Sequence, residues 1–284
     1  MHSAIWIRPN SVKQGEVVIL SGLYYPFEKG NVSFLNECKI QFENNEYKFS
    51  KEILNWEEYI KSQKQNGFHF ITRIPTTPLS QIGQKKMTLL CPNGSETFSI
   101  NILAGNFTIQ SIKLSKKKNS LQRTEIEDKA VKKAINTFSP NKLWDDSKSW
   151  LIPNNARQSA SYGLRRKYNG VLAKDYFHKG IDYAGWTGSP VKSPAKGKVI
   201  LLGKEKEGFA VHGNCLFIDH GQGVVSAYLH LSEFYVEENQ EVTAGQLIGK
   251  VGNSGIATGP HLHFGLYVNG QSVNPSRWLS ESTP

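Results

Sequence analysis

The sequence predicts a mainly β protein: an N-terminal β-sandwich-like domain over residues 1–105, a basic helical connector over 106–150 and a C-terminal antiparallel β-sheet domain over 151–284. Three observations predict it. Short apolar or alternating runs recur in the first and last parts, broken by Gly, Pro and Asn, as strands and turns are. Helical periodicity is confined to two stretches, 52–63 and 124–138. The charge is uneven: of a net +10, residues 106–150 carry half the excess, with 10 basic and 5 acidic side chains. A chain of 284 residues, 38% apolar and 11% aromatic, is long enough for one large or two ordinary cores. That composition excludes a disordered, collagen-like or disulfide-framework protein. No stretch approaches the roughly 18 consecutive apolar residues of a membrane helix, so no membrane span is expected.

In the first part, residues 16–22, 39–42, 67–72, 87–90 and 97–102 read as strands, at a spacing that suits a small sandwich. Residues 52–63 interrupt them, with Ile53, Trp56, Tyr59 and Ile60 on one helical face. In the connector, Lys116-Lys117-Lys118 is a charge run. A helix follows over 124–138, with Ile126, Ala130, Ala134 and Phe138 at four-residue steps. Thr124-Glu125-Ile126-Glu127 gives it a capped start, and Ser139-Pro140 a stop. In the last part, residues 198–202, 215–219, 224–231, 247–251 and 261–268 read as strands, and Asn269-Gly270 as a hairpin turn.

Three cysteines form no C-x-x-C pair, so a cysteine metal site is not expected. Cys38 and Cys91 fit either a disulfide in an oxidising compartment or two buried thiols; Cys215, in an apolar run, reads as core. The N-terminus has neither a basic region nor a long apolar one, so no secretory signal is read in this sequence. A basic balance suits anionic polymers: nucleic acid, lipid surfaces or wall polymers. No DNA- or RNA-binding signature accompanies it, and nucleic acid is not expected as a partner.

The chemistry concentrates in histidines. His261 and His263 are two apart in a predicted strand, so both imidazoles leave one face. His178 and Asp182 are four apart; fully extended they would stand roughly 13 Å apart, too far to share a metal. A shared metal therefore demands a bend between them, which Gly180 permits. His230 lies in Tyr228-Leu229-His230-Leu231. Catalytic zinc takes three protein ligands from His, Asp and Glu and keeps a position for water. Of the five candidates His178, Asp182, His230, His261 and His263, three can ligate and two can move protons or hold an oxyanion. His220, in Asp219-His220-Gly221-Gln222-Gly223, reads as a turn residue, and His212 as loop.

Taken with their surroundings, these residues resemble the M23 family of zinc metallopeptidases, the lysostaphin-like or LytM-type domains. The likeness covers about residues 153–278. It runs through Ser161-Tyr162-Gly163-Leu164-Arg165, Phe177-His178-Lys179-Gly180-Ile181-Asp182-Tyr183, Ile218-Asp219-His220-Gly221, Tyr228-Leu229-His230-Leu231-Ser232 and Thr258-Gly259-Pro260-His261-Leu262-His263-Phe264. The resemblance implies that His178, Asp182 and His263 bind Zn2+ and that His230 and His261 flank the reacting water as catalytic residues. It also implies hydrolysis of peptide bonds in peptidoglycan stems or cross-links, hence action in the periplasm or cell envelope. The alternative it carries is a non-catalytic or autoinhibited wall-binding module that activates a cell-wall amidase or another envelope partner. The first 105 residues resemble, by strand pattern alone, the immunoglobulin-like regions that accompany such domains.

Overall fold

A computed structural model describes residues 2–25, 37–52, 68–92, 94–145 and 147–280. The helix expected over 52–63 lies, from residue 53 on, outside the described residues. The chain forms two compact units: residues 1–76 with 80–104, and residues 77–79 with 105–284.

The first unit is built of strands β1 (His2–Arg8), β2 (Ser11–Lys13), β3 (Val17–Tyr25), β4 (Lys39–Phe42), β5 (Asn45–Lys48), β6 (Ser50–Glu52), β7 (Phe68–Pro75), β8 (Gly83–Cys91) and β9 (Gly94–Leu103). They form two sheets, ordered β1-β3-β7-β6 and β2-β9-β8-β4-β5. Period-two alternation gives each sheet one apolar face. Val18, Leu20, Phe70 and Ile74 of the first sheet share a core with Ile40, Phe42, Met87 and Ile100 of the second. Cys38 and Cys91 are joined as a disulfide, the first of the two arrangements the sequence left open.

The second unit begins with β10 (Ile109–Ile112), α1 (Lys116–Asn119) and α2 (Glu125–Ile135). Then come β11 (Gln158–Ala160), β12 (Arg165–Tyr168), β13 (Val171–Phe177), β14 (Gly180–Tyr183), β15 (Pro190–Lys192), β16 (Gly197–Gly203), β17 (Asn214–Gly221) and β18 (Val224–Phe234). The last elements are β19 (Glu241–Val242), β20 (Leu247–Val251), β21 (Leu262–Val268), β22 (Gln271–Val273) and α3 (Ser276–Ser280). One ten-stranded sheet is centred on β14-β21-β18-β17-β16, with every pair antiparallel. Alternation sorts its side chains. Ile181, Leu216, Ile218, Tyr228 and Phe264 fill a core on one face. Cys215, Phe217, Val225, Ala227, Leu229 and Tyr267 lie on the other.

Helix α2 covers part of that second face through Val131 and Ala134. Thr124 caps it, its hydroxyl accepting from Glu127 N at 3.1 Å. Glu125, Glu127 and Asp128 in the first turn and Lys132 and Lys133 in the last complement the helix dipole. The helix stops at Ile135, three residues short of the expected end; Asn136, the C-cap, turns its side-chain amide back onto the Lys132 carbonyl at 2.7 Å. Its inward stripe also differs from the one the apolar spacing suggested. Glu127, Val131 and Ala134 are buried, whereas Ile126 is 62% exposed. The segment read as a connector thus lies within the second unit, and its strand β10 pairs in parallel with β12 in a small sheet ordered β10-β12-β13.

Candidate metal centre

The five singled-out side chains converge on the same face of the large sheet that α2 partly covers. β14 and β21 are neighbours, with Asp182 directly opposite His263. Their side chains therefore project to one side, away from the core that holds the neighbouring pair Ile181 and Phe264. His178 sits at the junction between β13 and β14, pinned by its N–H to the Leu164 carbonyl at 2.8 Å. The bend demanded by the spacing is present: His178 Nε2 lies 2.9 Å from Asp182 Oδ1. Gly180 is needed for close approach: a Cβ there would stand 2.2 Å from the Phe264 carbonyl oxygen and 2.9 Å from His263 Nε2.

His230 reaches the site by a different device. Strict alternation would turn it to the core with Tyr228. Opposite it, β17 pairs Leu216 with Tyr228 and Asn214 with Leu231, so Leu229 and His230 together oppose Cys215. This bulge, with His230 at a left-handed φ of 66°, swings the imidazole to the site face. Its ring centroid is 4.8 Å from that of His261 and 6.3 Å from that of His263. His261 precedes β21 and faces Asp182 Oδ1 across 3.9 Å at Nε2.

Hydrogen bonds assign the ring nitrogens. His178 Nδ1 donates to the Ser161 carbonyl (2.7 Å), His230 Nδ1 to the Ser254 carbonyl (2.9 Å) and His261 Nδ1 to the Gly259 carbonyl (2.8 Å). A ring so bonded, when neutral, presents a bare lone pair at Nε2. His178 Nε2, Asp182 Oδ1 and His263 Nδ1 stand 2.9–3.0 Å from one another. A carboxylate oxygen and an imidazole lone pair that close need a proton or a cation between them. Tetrahedral zinc, with bonds of about 2.0–2.1 Å, spaces its ligand atoms by about 3.3 Å, so the observed triangle needs only a few tenths of an ångström of adjustment. His178, Asp182 and His263 are the one group of His, Cys, Asp or Glu that can hold a metal among the described residues.

The electrostatics fit the same chemistry. Burial alone would raise the Asp182 carboxyl, but hydrogen bonds and charge from His178 and His263 outweigh it and hold it well below the usual carboxylate range. Burial pushes His263 down to about 4 despite the pull of Asp182. Burial, with His261 and His263 alongside, pushes His230 well below its ordinary value, so it stays neutral at pH 7. The five residues line a hollow of about 470 Å³.

Three supporting features were not singled out in the sequence. Arg166, buried on β12, places Nη2 3.4 Å from Asp182 Oδ2. Its Nη1 donates to Gln110 Oε1 on β10. The segment after β10 also bridges two loops: Leu114 N donates to Asn169 Oδ1 at 2.9 Å, and Lys118 Nζ donates to the Ala257 carbonyl. Finally, His212 is buried and bonded to Glu127. No local motif announces any of these, because each partner lies 16 to 139 residues away. His220, read as a turn residue, is instead fully buried in β17, its ring nitrogens 2.7 Å from the Lys196 carbonyl and 2.8 Å from Ser226 Oγ, against Trp150. The lone polar ring in a glycine-rich run is accommodated because both of its nitrogens are satisfied.

The family model for Peptidase family M23 matches residues 176–275, which contain all five. Over 119 residues the chain is 42% identical to DD-carboxypeptidase/endopeptidase Mpg of Neisseria meningitidis, covering 42% of this chain and 26% of that protein. Over 133 residues it is 34% identical to murein hydrolase activator NlpD of Salmonella dublin, covering 47% of this chain and 32% of that one. The chain thus spans about a third or less of the length of these curated relatives. A solved structure of a Pseudomonas aeruginosa protein assigned to peptidase M23 covers 94% of each chain at a TM-score of 0.62 and 24% identity, which shows a shared fold.

Proposed function

We propose, from the premise that residues 176–275 are an M23 peptidase domain, that this protein is a zinc-dependent endopeptidase that cuts peptide bonds in peptidoglycan stems or cross-links. The observation that carries the reading is the convergence of His178, Asp182, His263, His230 and His261 in one hollow, with none of the five replaced. His178, Asp182 and His263 would hold the zinc ion. Bound there, zinc supplies Lewis-acid polarisation of the scissile carbonyl and lowers the pKa of water towards neutrality.

The other two histidines handle protons. His230 is neutral, its Nδ1–H committed to Ser254, so Nε2 can accept a proton as the nucleophile attacks. His261, with Nδ1–H on Gly259 and Nε2 towards Asp182, can donate from Nε2 once protonated, to the oxyanion or the leaving amine. Arg166 holds the outer oxygen of Asp182 and keeps the inner one aimed at the ligand position. The Mpg relative's name, a carboxypeptidase/endopeptidase, supports the reaction class. Such a substrate implies action in the periplasm or cell envelope.

The likeness to a murein hydrolase activator supports a second reading, a wall-binding module that stimulates an amidase. The segment bridging Asn169 and Ala257 fits a restrained site. One experiment separates the two. Purified chain is incubated with peptidoglycan sacculi, with zinc, with a chelator, and with an amidase, and the released fragments are identified by mass spectrometry. Chelator-sensitive loss of cross-linked dimers supports the endopeptidase; no release alone, with a stimulated amidase, supports the activator.

A further inference from the structure

We infer that Glu127, on helix α2, is a positioning residue for His230. The inference rests on the reading that His230 moves a proton in the reaction.

Glu127 is anomalous where it stands. It occupies the inward stripe of α2 with Val131 and Ala134, where an aliphatic side chain would ordinarily pack, and it is 0% exposed. Its carboxylate is saturated by one loop. It accepts from Val211 N at 3.2 Å, from His212 N at 2.7 Å and from His212 Nδ1 at 2.5 Å. Burial would raise this carboxyl, but the hydrogen bonds from His212 and Val211 and the charge of His212 overcome it and leave it below its ordinary value. One turn earlier, Thr124 Oγ1 donates to the Gly208 carbonyl at 2.7 Å. The start of α2 therefore grips residues 208–212 at both ends.

That loop in turn holds His230. The His212 carbonyl accepts the His230 N–H at 3.1 Å, and the Val211 carbonyl accepts from Ile256 N at 3.0 Å, next to the loop whose Ser254 carbonyl takes His230 Nδ1–H. Asn214 N donates to Ser254 Oγ at 2.9 Å, tying the two loops together. His230 needs such support. A β-carbon-bearing residue at a φ of 66° is strained, and persists only where its surroundings fix it. Its imidazole faces the site only because of this conformation. The chain of contacts runs from Glu127 to His212 to the His230 backbone to the Nε2 lone pair. The carboxylate makes none of the metal contacts.

The test uses the full chain with Glu127→Gln, which keeps the volume and one acceptor oxygen but removes the charge and sets an amide NH2 against Val211 N–H, where Oε2 accepts at 3.3 Å. The expected result is a kcat on sacculi lower by about 10- to 100-fold, the scale of a small misplacement of a catalytic group, with KM and zinc content unchanged. A second readout needs no activity: in metal-free, 15N-histidine-labelled protein, the His230 ring signals should shift or broaden while those of His220 stay in place. Glu127→Asp, which keeps the charge but withdraws it by one methylene, should fall between wild type and Gln. Unchanged kcat with unchanged His230 signals overturns the inference. So does collapse of both variants with loss of zinc, which would make Glu127 a fold residue only. If the wild type itself cuts nothing, the endopeptidase reading fails, and the His230 signals still decide the role of Glu127.

Discussion

Replacing Gly180 with Ala should open the metal centre without touching any candidate ligand. A Cβ at this position would lie 2.2 Å from the Phe264 carbonyl oxygen and 2.9 Å from His263 Nε2. An ordinary contact needs about 1 Å more than the first of these, and the obstructing atom is backbone in the central strand β21, which cannot swing aside. Gly180 pairs with Gly265, two residues along from the Asp182–His263 pair. Separation there pulls the two strands apart where Asp182 and His263 must share one ion. The overpacking should cost about 1–3 kcal/mol of stability. The displaced ligands should weaken zinc binding by at least tenfold and, by the usual sensitivity to a 1 Å misplacement, lower turnover by about 10²-fold. Urea unfolding and zinc titration against a chromogenic chelator measure both effects. Gly259→Ala is the control: a Cβ there meets nothing within 4 Å, although His261 is two residues away. A Gly180→Ala protein with wild-type stability and zinc affinity would refute the packing argument.

Three further outcomes are expected. Arg166→Lys should weaken zinc binding by about 10- to 100-fold, because one ammonium cannot serve both Gln110 and Asp182 as the guanidinium fork does; an unchanged affinity in chelator competition would show that Asp182 needs no such support. His220 has its pKa pushed down to about 4 by complete burial. The unfolded chain, near 6.5, therefore binds a proton that the folded chain refuses, and stability is lost as pH falls from about 6.5 to about 4, by about 3 kcal/mol. Unfolding midpoints against pH should show a shallower slope in His220→Gln, and an identical slope would contradict this. Opening the Cys38–Cys91 bridge, which spans 53 residues, should destabilise the first unit by about 4 kcal/mol on the chain-entropy estimate. Zinc content should be unaffected, since His178, Asp182 and His263 lie in the other unit; calorimetry with and without reductant, alongside metal analysis, reads both.

Local residue patterns are enough to place most of the strands, the start of α2 and the reactive groups. Period-two alternation set which side chains of β17, β21 and β18 as far as Leu229 share a face, and Thr124 with the charges around it set where α2 begins. The His-x-His spacing put two imidazoles together, and the separation of His178 from Asp182 required the bend that the structure contains. The rest depends on contacts between residues far apart in the chain. The inward face of α2 turned on Glu127, a charged residue that no hydrophobicity pattern assigns to a core; it is buried because the loop at Val211 and His212 supplies three donors. His230 points to the site because a bulge adds one residue to β18, and a register shift leaves no mark in local composition. The charged stretch before residue 150 lies with the second unit because β10 found an edge at β12 and α2 an apolar face at β16 and β17. Propensity specifies a strand or a helix, but only the folded chain supplies the partner that says where it rests.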